Sequence, residues 1–525
     1  MNVSGNISRF MSEQYYITTA IDYVNGLPHL GHAYEKVLTD VLARYQRRHG
    51  QRVFFLTGLD EHGIKVQQSA QKQGRDPQEF CDAMAANFER LYRKLNVSFD
   101  DFVRTTQPRH KEVVRRCLQQ LFDAGEIYKG VYKGFYSPRQ EQFLTEKDRA
   151  ADGHFPEIFG EVIELEEDVY YFRLARHQEW LVGHLQKNPD WIFPSFRAKE
   201  VLGALENPIP DLCISRPKAR LAWGIPLPFD AEQVTYVWFD ALINYISVIG
   251  YDGVSVSDWW PGINVIGKDI LVPAHAVYWP IMLKALGLPL PRMLLVHGWW
   301  TQNKEKMSKS TGNAVDPLTL IETYGVDAFR YFVMREMAVG YDADFSPEQF
   351  HLRYQSELGN TLGNLVNRAV SMVARYRGGA IPAVSATPTV SEENLRRDVT
   401  AAIAAFCENM DKIQVHIALM ELWKGIIRIN QYADENAPWK LAKNPADADR
   451  LDAVLSELAA AIYLLTGEIG CILPATAEKI LAQLGNLPPL PVKKNPAWPQ
   501  IPADTKVGKA EPLFPRVELP GVAVP

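Results

Sequence analysis

Cysteine is scarce in this chain, with five in 525 residues. Cys81, Cys117, Cys213, Cys407 and Cys471 stand far apart, so there is neither a C-x-x-C pair nor a disulfide framework. Free thiols in a reducing cytoplasm are the expectation. Long apolar runs are lacking as well: no signal peptide and no uninterrupted apolar stretch of about 18 residues is found, which predicts a soluble protein without a membrane partner. Positive charge is not in excess, since 56 basic residues face 62 acidic ones for a net charge of −6. That excludes a surface coated for indiscriminate nucleic-acid binding, while a local basic stripe can still dock one RNA shape. Internal repeats are absent.

What is present is an ordinary globular composition, 47% hydrophobic and 22% charged. The length predicts two to four domains. Residues 1–10, ahead of Met11, read as a dispensable leader or a misplaced start.

Tyr15–Ala20 reads as a buried strand, His29 to about His49 as a helix closed by Gly50, Arg52–Thr57 as a strand and Ile64–Gln73 as a helix. This alternation opens a doubly wound, parallel, Rossmann-like α/β sheet. Residues 118–232 break the rhythm and read as a connective insertion. Val234–Phe239, Ile263–Ile266 and Met293–Val296 then read as further buried strands. The expected units are thus 1–117 and 233–300 as two halves of one nucleotide-binding domain. A lysine loop and linking region follow at 301–350, then an all-α bundle at 351–486 and a proline-rich strap at 487–525.

Two constellations carry chemistry. Pro28-His29-Leu30-Gly31-His32 lies where the first strand turns into the first helix, so helix-terminal N–H groups and two imidazoles on one face offer a phosphate site. Gly31 lets a flat group reach the backbone. Alone, this pattern equally describes a capping turn. Lys306-Met307-Ser308-Lys309-Ser310 follows the strand that ends at His297-Gly298, and two lysines on a polar loop can neutralise a departing pyrophosphate. Together the two motifs mark the carboxyl ends of a parallel sheet, where ligands bind.

With H-x-G-H and K-M-S-K-S, and with Gly58-Leu59-Asp60-Glu61-His62-Gly63, Ile214-Ser215-Arg216, Tyr236-Val237-Trp238-Phe239-Asp240-Ala241 and Asn436-Ala437-Pro438-Trp439, nearly the whole chain resembles the methionyl-tRNA synthetases of class I. The resemblance implies activation of L-methionine by ATP with Mg²⁺ to methionyl-adenylate and pyrophosphate, then transfer to tRNA(Met), initiator tRNA included. It implies catalytic roles for His29, His32, Lys306 and Lys309. An ATP site of Pro28, His29, Gly31, His32, His297, Gly298, Lys306, Ser308 and Lys309 follows with them. Methionine would meet Ile21, Tyr23, Asp60, Trp238, Ala241, Leu242, Tyr245, Ile270 and His275, with Asp60 pairing the ammonium. The thioether suits aromatic edges and aliphatic walls. One extra residue precedes His275 relative to the family pattern. Asn364, Arg368 and Trp439 would read the anticodon.

In many such enzymes the insertion carries zinc knuckles. Here Ser137 and Gln140 stand where a cysteine pair would, and His154 alone cannot build a tetrahedral site, so no structural zinc is expected. Phe135, Phe143, Phe155 and Phe159 are the expected apolar replacement. The insertion is also too short for the editing domain of the isoleucine, valine and leucine enzymes. A monomer in the cytoplasm is expected. The rival readings are another class I synthetase, a small-molecule nucleotidylyltransferase and a catalytically dead paralogue that only binds RNA.

Overall fold

The computed structural model describes residues 14–139, 142–144, 148–150, 152–307, 315–384, 387–491, 497–502 and 505–518. Ser308 and Lys309 lie outside these.

The first strand, β1 (Gln14–Thr19), runs on to a two-residue strand, β2 (Asp22–Tyr23), before the first helix, α1 (Leu30–Arg48). Then come β3 (Arg52–Asp60) and β4 (Asp101–Arg104), and β3 pairs in parallel with β1, β2 and β4. On its other side β1 pairs with strand Ile263–Gly267, which pairs with Met293–His297. All the pairs are parallel, so Thr19, Asp60, Gly267 and His297 end their strands on one edge. β1 and the Met293–His297 strand are buried along nearly their whole length, as a sheet covered on both faces requires.

The parallel-sheet expectation is met, with one strand misplaced. Val234–Phe239 is not a strand of this sheet. Asp230–Thr235 belongs to a small antiparallel sheet with Ser215–Pro217 and Pro226–Leu227, and Val237–Leu242 is a helix. A short apolar run carries no usable periodicity, and this one changes element at Tyr236. The missing strand is Ile192–Phe193, which pairs with Leu294 and Leu295 from inside the stretch assigned to the insertion. That stretch also holds an antiparallel sheet built on Ile127–Ser137 and Ile163–Phe172 and the helices Gln178–Lys187 and Phe196–Ala204. The expected 117/118 division falls inside the helix Pro108–Asp123, and that at 350/351 inside Pro347–Arg353.

The C-terminal part is helical: Asn364–Arg377, Val390–Asp411, Val415–Asn436, Ala448–Ile472 and Pro474–Gln483. Although charged residues interrupt it, the helical segment Pro445–Ile472 is long and apolar enough by length and composition to cross a membrane, but 89% of that window is buried. It is the core helix of the bundle. The strap lies extended: Ile381 N–H donates to Thr505 O (2.9 Å), Val507 N–H to Gly379 O (2.9 Å) and Tyr354 O–H to Pro515 O (2.6 Å).

The parallel sheet and the bundle share one core, and buried charges cross it. Arg330 donates to Ile472 O (2.7 Å), Leu95 O (3.0 Å) and Asp40 Oδ2 (2.7 Å). Burial pushes the Asp40 carboxyl up, but Arg330 and Arg44 outweigh it and hold the group below the ordinary range.

Candidate active site

His29 is the N-cap of α1, not its first residue. Its Nδ1 accepts from Gly31 N–H (3.1 Å), and its own N–H donates to His32 Nδ1 (3.1 Å), a capping box made of two imidazoles. The rings lie 3.8 Å apart between centroids. Because each ring accepts at Nδ1, each neutral tautomer carries its proton on Nε2. The cap thus fixes the imidazoles as N–H donors where the helix already favours an anion. Gly31 is needed here for a local reason: a Cβ would come within 3.0 Å of the His29 ring. Pro28 is half-buried ahead of the cap.

Beneath the cap, α1 buries a chain of charges. Lys36 Nζ donates to Asp22 Oδ1 (2.7 Å), Glu35 Oε1 (3.0 Å) and Ala20 O (3.1 Å). Asp22 also accepts from the Tyr92 hydroxyl. Burial pushes the Asp22 carboxyl up, but Lys36 and His32 reverse this and leave it below the usual range. Burial pushes the Lys36 ammonium down, and Asp22 and Glu35 bring it above its ordinary value. Glu35 Oε2 lies 3.0 Å from His297 Nε2, and His297 Nδ1 lies 2.8 Å from Gly298 O. Both nitrogens of His297 therefore face acceptors inside the protein. Gly298 is crowded too, since a Cβ there would lie 2.1 Å from Tyr341 O.

The Met293–His297 strand continues into a hairpin, Trp300–Gln302 with Glu305–Lys306, in which Thr301 pairs with Lys306. The Trp300 ring packs edge-on against Tyr34 of α1 at 6.1 Å. Asp344 Oδ1 accepts from Lys304 N–H (2.9 Å) and from the Thr301 hydroxyl (2.7 Å), which anchors the hairpin. The backbone entering the lysine motif thus leaves from beside α1.

The residues expected around the amino acid split into two groups that face the same edge. Tyr23 pairs with Asp60 across β2 and β3, Ile21 precedes β2, and Asp60 is buried. Trp238, Ala241 and Leu242 share the helix Val237–Leu242. Tyr245 O–H lies 2.7 Å from His275 Nε2, His275 Nδ1 lies 2.9 Å from Ile270 O, and the Trp238 ring meets His275 edge-on at 6.4 Å. The segment before His275 is not a continuous helix: Val272 is extended (φ −111°, ψ 129°) and kinks the stretch Leu271–Tyr278. Burial holds the His275 imidazolium down to about 4, so the ring is neutral and accepts from Tyr245.

Sequence reasoning missed the residues that join these groups. His62 Nδ1 lies 2.6 Å from Asp240 Oδ2, and His110 Nε2 lies 2.7 Å from Oδ1. Asp22, Glu35 and Lys36 went unnoticed as well, although charges inside an apolar helix pattern were the available signal. Arg216 is buried, its guanidinium over the rings of Tyr136 (5.6 Å) and Tyr236 (4.7 Å) and donating to Ser215 O (2.8 Å). With Gly63 and Val237 it lines a small cavity.

In the insertion, the Arg149 guanidinium stacks over Phe135 (4.6 Å) and Phe155 (4.2 Å), and Phe155 meets Phe159 at 6.4 Å. Ser137 O–H donates to Phe159 O (2.5 Å). The Phe143 side chain and Gln140 lie outside the described residues. In the bundle, Asn364 is exposed at the start of its helix, and one turn on the Arg368 guanidinium stands 5.3 Å from the Trp439 ring centroid and 2.7 Å from Asp434 Oδ1. Trp439 follows Ala437, whose φ of +42° is left-handed and turns the chain sharply into Pro438.

Comparison with known proteins fits this geometry. Residues 15–370 match the model of tRNA synthetases class I (M), and residues 381–519 match the anticodon binding domain of methionyl tRNA ligase. A methionine–tRNA ligase of Lactococcus lactis is 41% identical over 97% of this chain and 78% of its own length. One of Bacillus subtilis is 40% identical over 96% and 78%. Among solved structures, the methionyl-tRNA synthetase of Mycobacterium tuberculosis in complex with methionyl-adenylate overlays with a TM-score of 0.89 at 36% identity, covering 96% of this chain and all of that one. Its free form gives 0.83 at 33% identity. From the parallel sheet with its histidine-capped helix to the bundle that follows, the chain belongs to the methionyl-tRNA synthetase family of class I aminoacyl-tRNA synthetases.

Proposed function

We propose that the edge formed by Thr19, Asp60, Gly267 and His297 is where this chain activates methionine. The observation that supports the reading is the contact of Glu35, three positions after His32 on α1, with His297 at the end of the strand that leads into the lysine hairpin. ATP with Mg²⁺ lies over the capped end of α1. Its phosphates accept from the Nε2–H groups of His29 and His32, and its adenine lies near Pro28 and Gly31. His297 positions Glu35 and α1, and Gly298 lets the strand end pass under Tyr341. Lys306, Ser308 and Lys309 close over the pyrophosphate. The methionine carboxylate attacks the α-phosphorus while Asp60 holds the ammonium. Ile21, Tyr23, Trp238, Ala241, Leu242, Tyr245, Ile270 and His275 enclose the side chain. Little covalent work falls to the protein, so position and charge supply the rate.

The same reading gives Asn364, Arg368 and Trp439 the anticodon of tRNA(Met), the initiator species included. The protein acts as a cytoplasmic monomer, and the insertion holds its shape through Arg149 and its phenylalanines without zinc. The test is ATP–pyrophosphate exchange with each amino acid separately. Exchange stimulated by methionine alone, and slowed in Lys309→Ala by a fall in kcat larger than the change in methionine KM, supports the proposal. No exchange with any amino acid overturns it.

A further inference from the structure

The far end of α1 carries a second cluster that the reaction does not use. His49 follows the last turn of α1, Cys407 lies on Val390–Asp411 and Glu468 on Ala448–Ile472, so one residue comes from the catalytic domain and two from the bundle. Their ligand atoms all lie within 4.8 Å of one another, and among the described residues this is the one such group of histidine, cysteine and carboxylate side chains. His49 Nε2 is 3.7 Å from Glu468 Oε2 and 4.0 Å from Cys407 Sγ. The first separation is too long for a hydrogen bond. Glu468 is 3% exposed, and its Oε2 has no hydrogen-bond partner among the described residues, an expensive arrangement for a buried carboxylate.

We propose that these three side chains form a site for a thiophilic divalent cation, Zn²⁺ in chemical class, at the seam between the catalytic domain and the bundle. Tetrahedral zinc with bonds of about 2.0–2.3 Å needs ligand separations of roughly 3.3–3.6 Å, so the observed 3.7 and 4.0 Å, and a third separation of no more than 4.8 Å, must close by side-chain rotation. A thiolate and a carboxylate, the latter shared with Arg48, face the cation, and the imidazole binds as a neutral ligand. Binding releases the Cys407 thiol proton to solvent, and water fills the fourth position. The surroundings orient the ligands. Arg48 Nε donates to Glu468 Oε1 at 2.9 Å, which turns Oε2 toward His49. The Tyr45 ring packs on His49 at 4.2 Å while its hydroxyl donates to Asp411 Oδ1 (2.9 Å). A bound cation fastens the helix that carries His29 and His32 at its other end to two helices of the bundle.

The experiment uses the full chain, stripped of metal and titrated with Co²⁺ and then Zn²⁺. One equivalent of Co²⁺ is expected to give visible d–d absorption and a thiolate charge-transfer band. Zn²⁺ should displace it and raise Tm by several degrees. Cys407→Ser should abolish the charge-transfer band, and Glu468→Gln should weaken binding at least tenfold. Pyrophosphate exchange by both variants reports that the fold is intact. A wild-type protein that shows no cobalt spectrum even at millimolar metal overturns the proposal. So does a stoichiometric metal retained unchanged by both variants, which would place it elsewhere.

Discussion

His62 and Asp240 meet at 2.6 Å in the buried floor of the catalytic domain, and His110 takes the other oxygen of the same carboxylate at 2.7 Å. Asp240 stands two residues after Trp238 on one helix, and His62 stands two residues after Asp60 at the end of β3. The contact therefore sets the two sides of the proposed methionine site against each other. Burial pushes the Asp240 carboxyl up, but His62 and His110 overcome it and hold it at about 2.

Asp240→Asn should break this floor without changing its volume. The amide sets an N–H₂ group against one imidazole and removes the charge that both histidines face. Removing one member of a buried charged network costs about 3–5 kcal/mol, and the isosteric amide should fall near the lower end. Urea denaturation should show the loss, and methionine KM should rise more than ATP KM because the Trp238 helix shifts. Unchanged stability, or equal changes in both KM values, would show that the contact does not position the amino-acid side.

Much of this architecture is legible in sequence because it rests on local rules. Alternation of apolar strands and an amphipathic helix marks β1, α1 and β3, and the glycine at 50 closes α1 with a left-handed φ of +82°. His29 and His32 are readable as a pair because they lie three positions apart at the start of a helix. The Asp240 triad is not readable, because His62, His110 and Asp240 are joined only by the fold. The same holds for Glu35 with His297, and for the seam of His49, Cys407 and Glu468. Ile192–Phe193 escapes for another reason: two residues are too few to show a period, and only the neighbouring Met293–His297 strand makes them a strand. Val237–Leu242 escapes because its apolar run suits helix and strand alike.

His275 should make stability depend on pH. Its folded value of about 4 lies below the ordinary 6.5 because burial disfavours the charged ring. The unfolded chain therefore binds the extra proton first, and stability falls as pH drops from 6.5 toward 4, with full stability above that window. The whole shift corresponds to a loss on the order of 3 kcal/mol. Comparing thermal melts of the wild type and His275→Gln at several pH values checks this. The variant should be less stable at neutral pH and show a shallower decline between pH 6.5 and 4. Parallel declines would mean that the folded ring takes up its proton as readily as the unfolded chain does, and that burial does not hold it neutral.

Trp439 offers the cleanest separation of the two halves of the reaction. Its ring is 36% exposed, held by Arg368 on one side and by the left-handed corner at Ala437 on the other, a pre-formed platform for an unpaired base. Stacking one base on an aromatic ring is worth about 1–3 kcal/mol, so Trp439→Ala should lower kcat/KM for tRNA charging about ten- to a hundredfold. The effect should appear chiefly in KM for tRNA, because the platform adds binding at a distance from the reacting atoms. Methionine-dependent pyrophosphate exchange needs no tRNA and should be unchanged, since Trp439 sits in the bundle beside Arg368. Arg368→Ala should follow the same pattern with a smaller exposed-ring effect, as Arg368 also spends part of its charge on Asp434 at 2.7 Å. Equal losses in charging and exchange would instead mean that the substitution loosens the shared core, and the anticodon assignment of Trp439 would then have to be withdrawn.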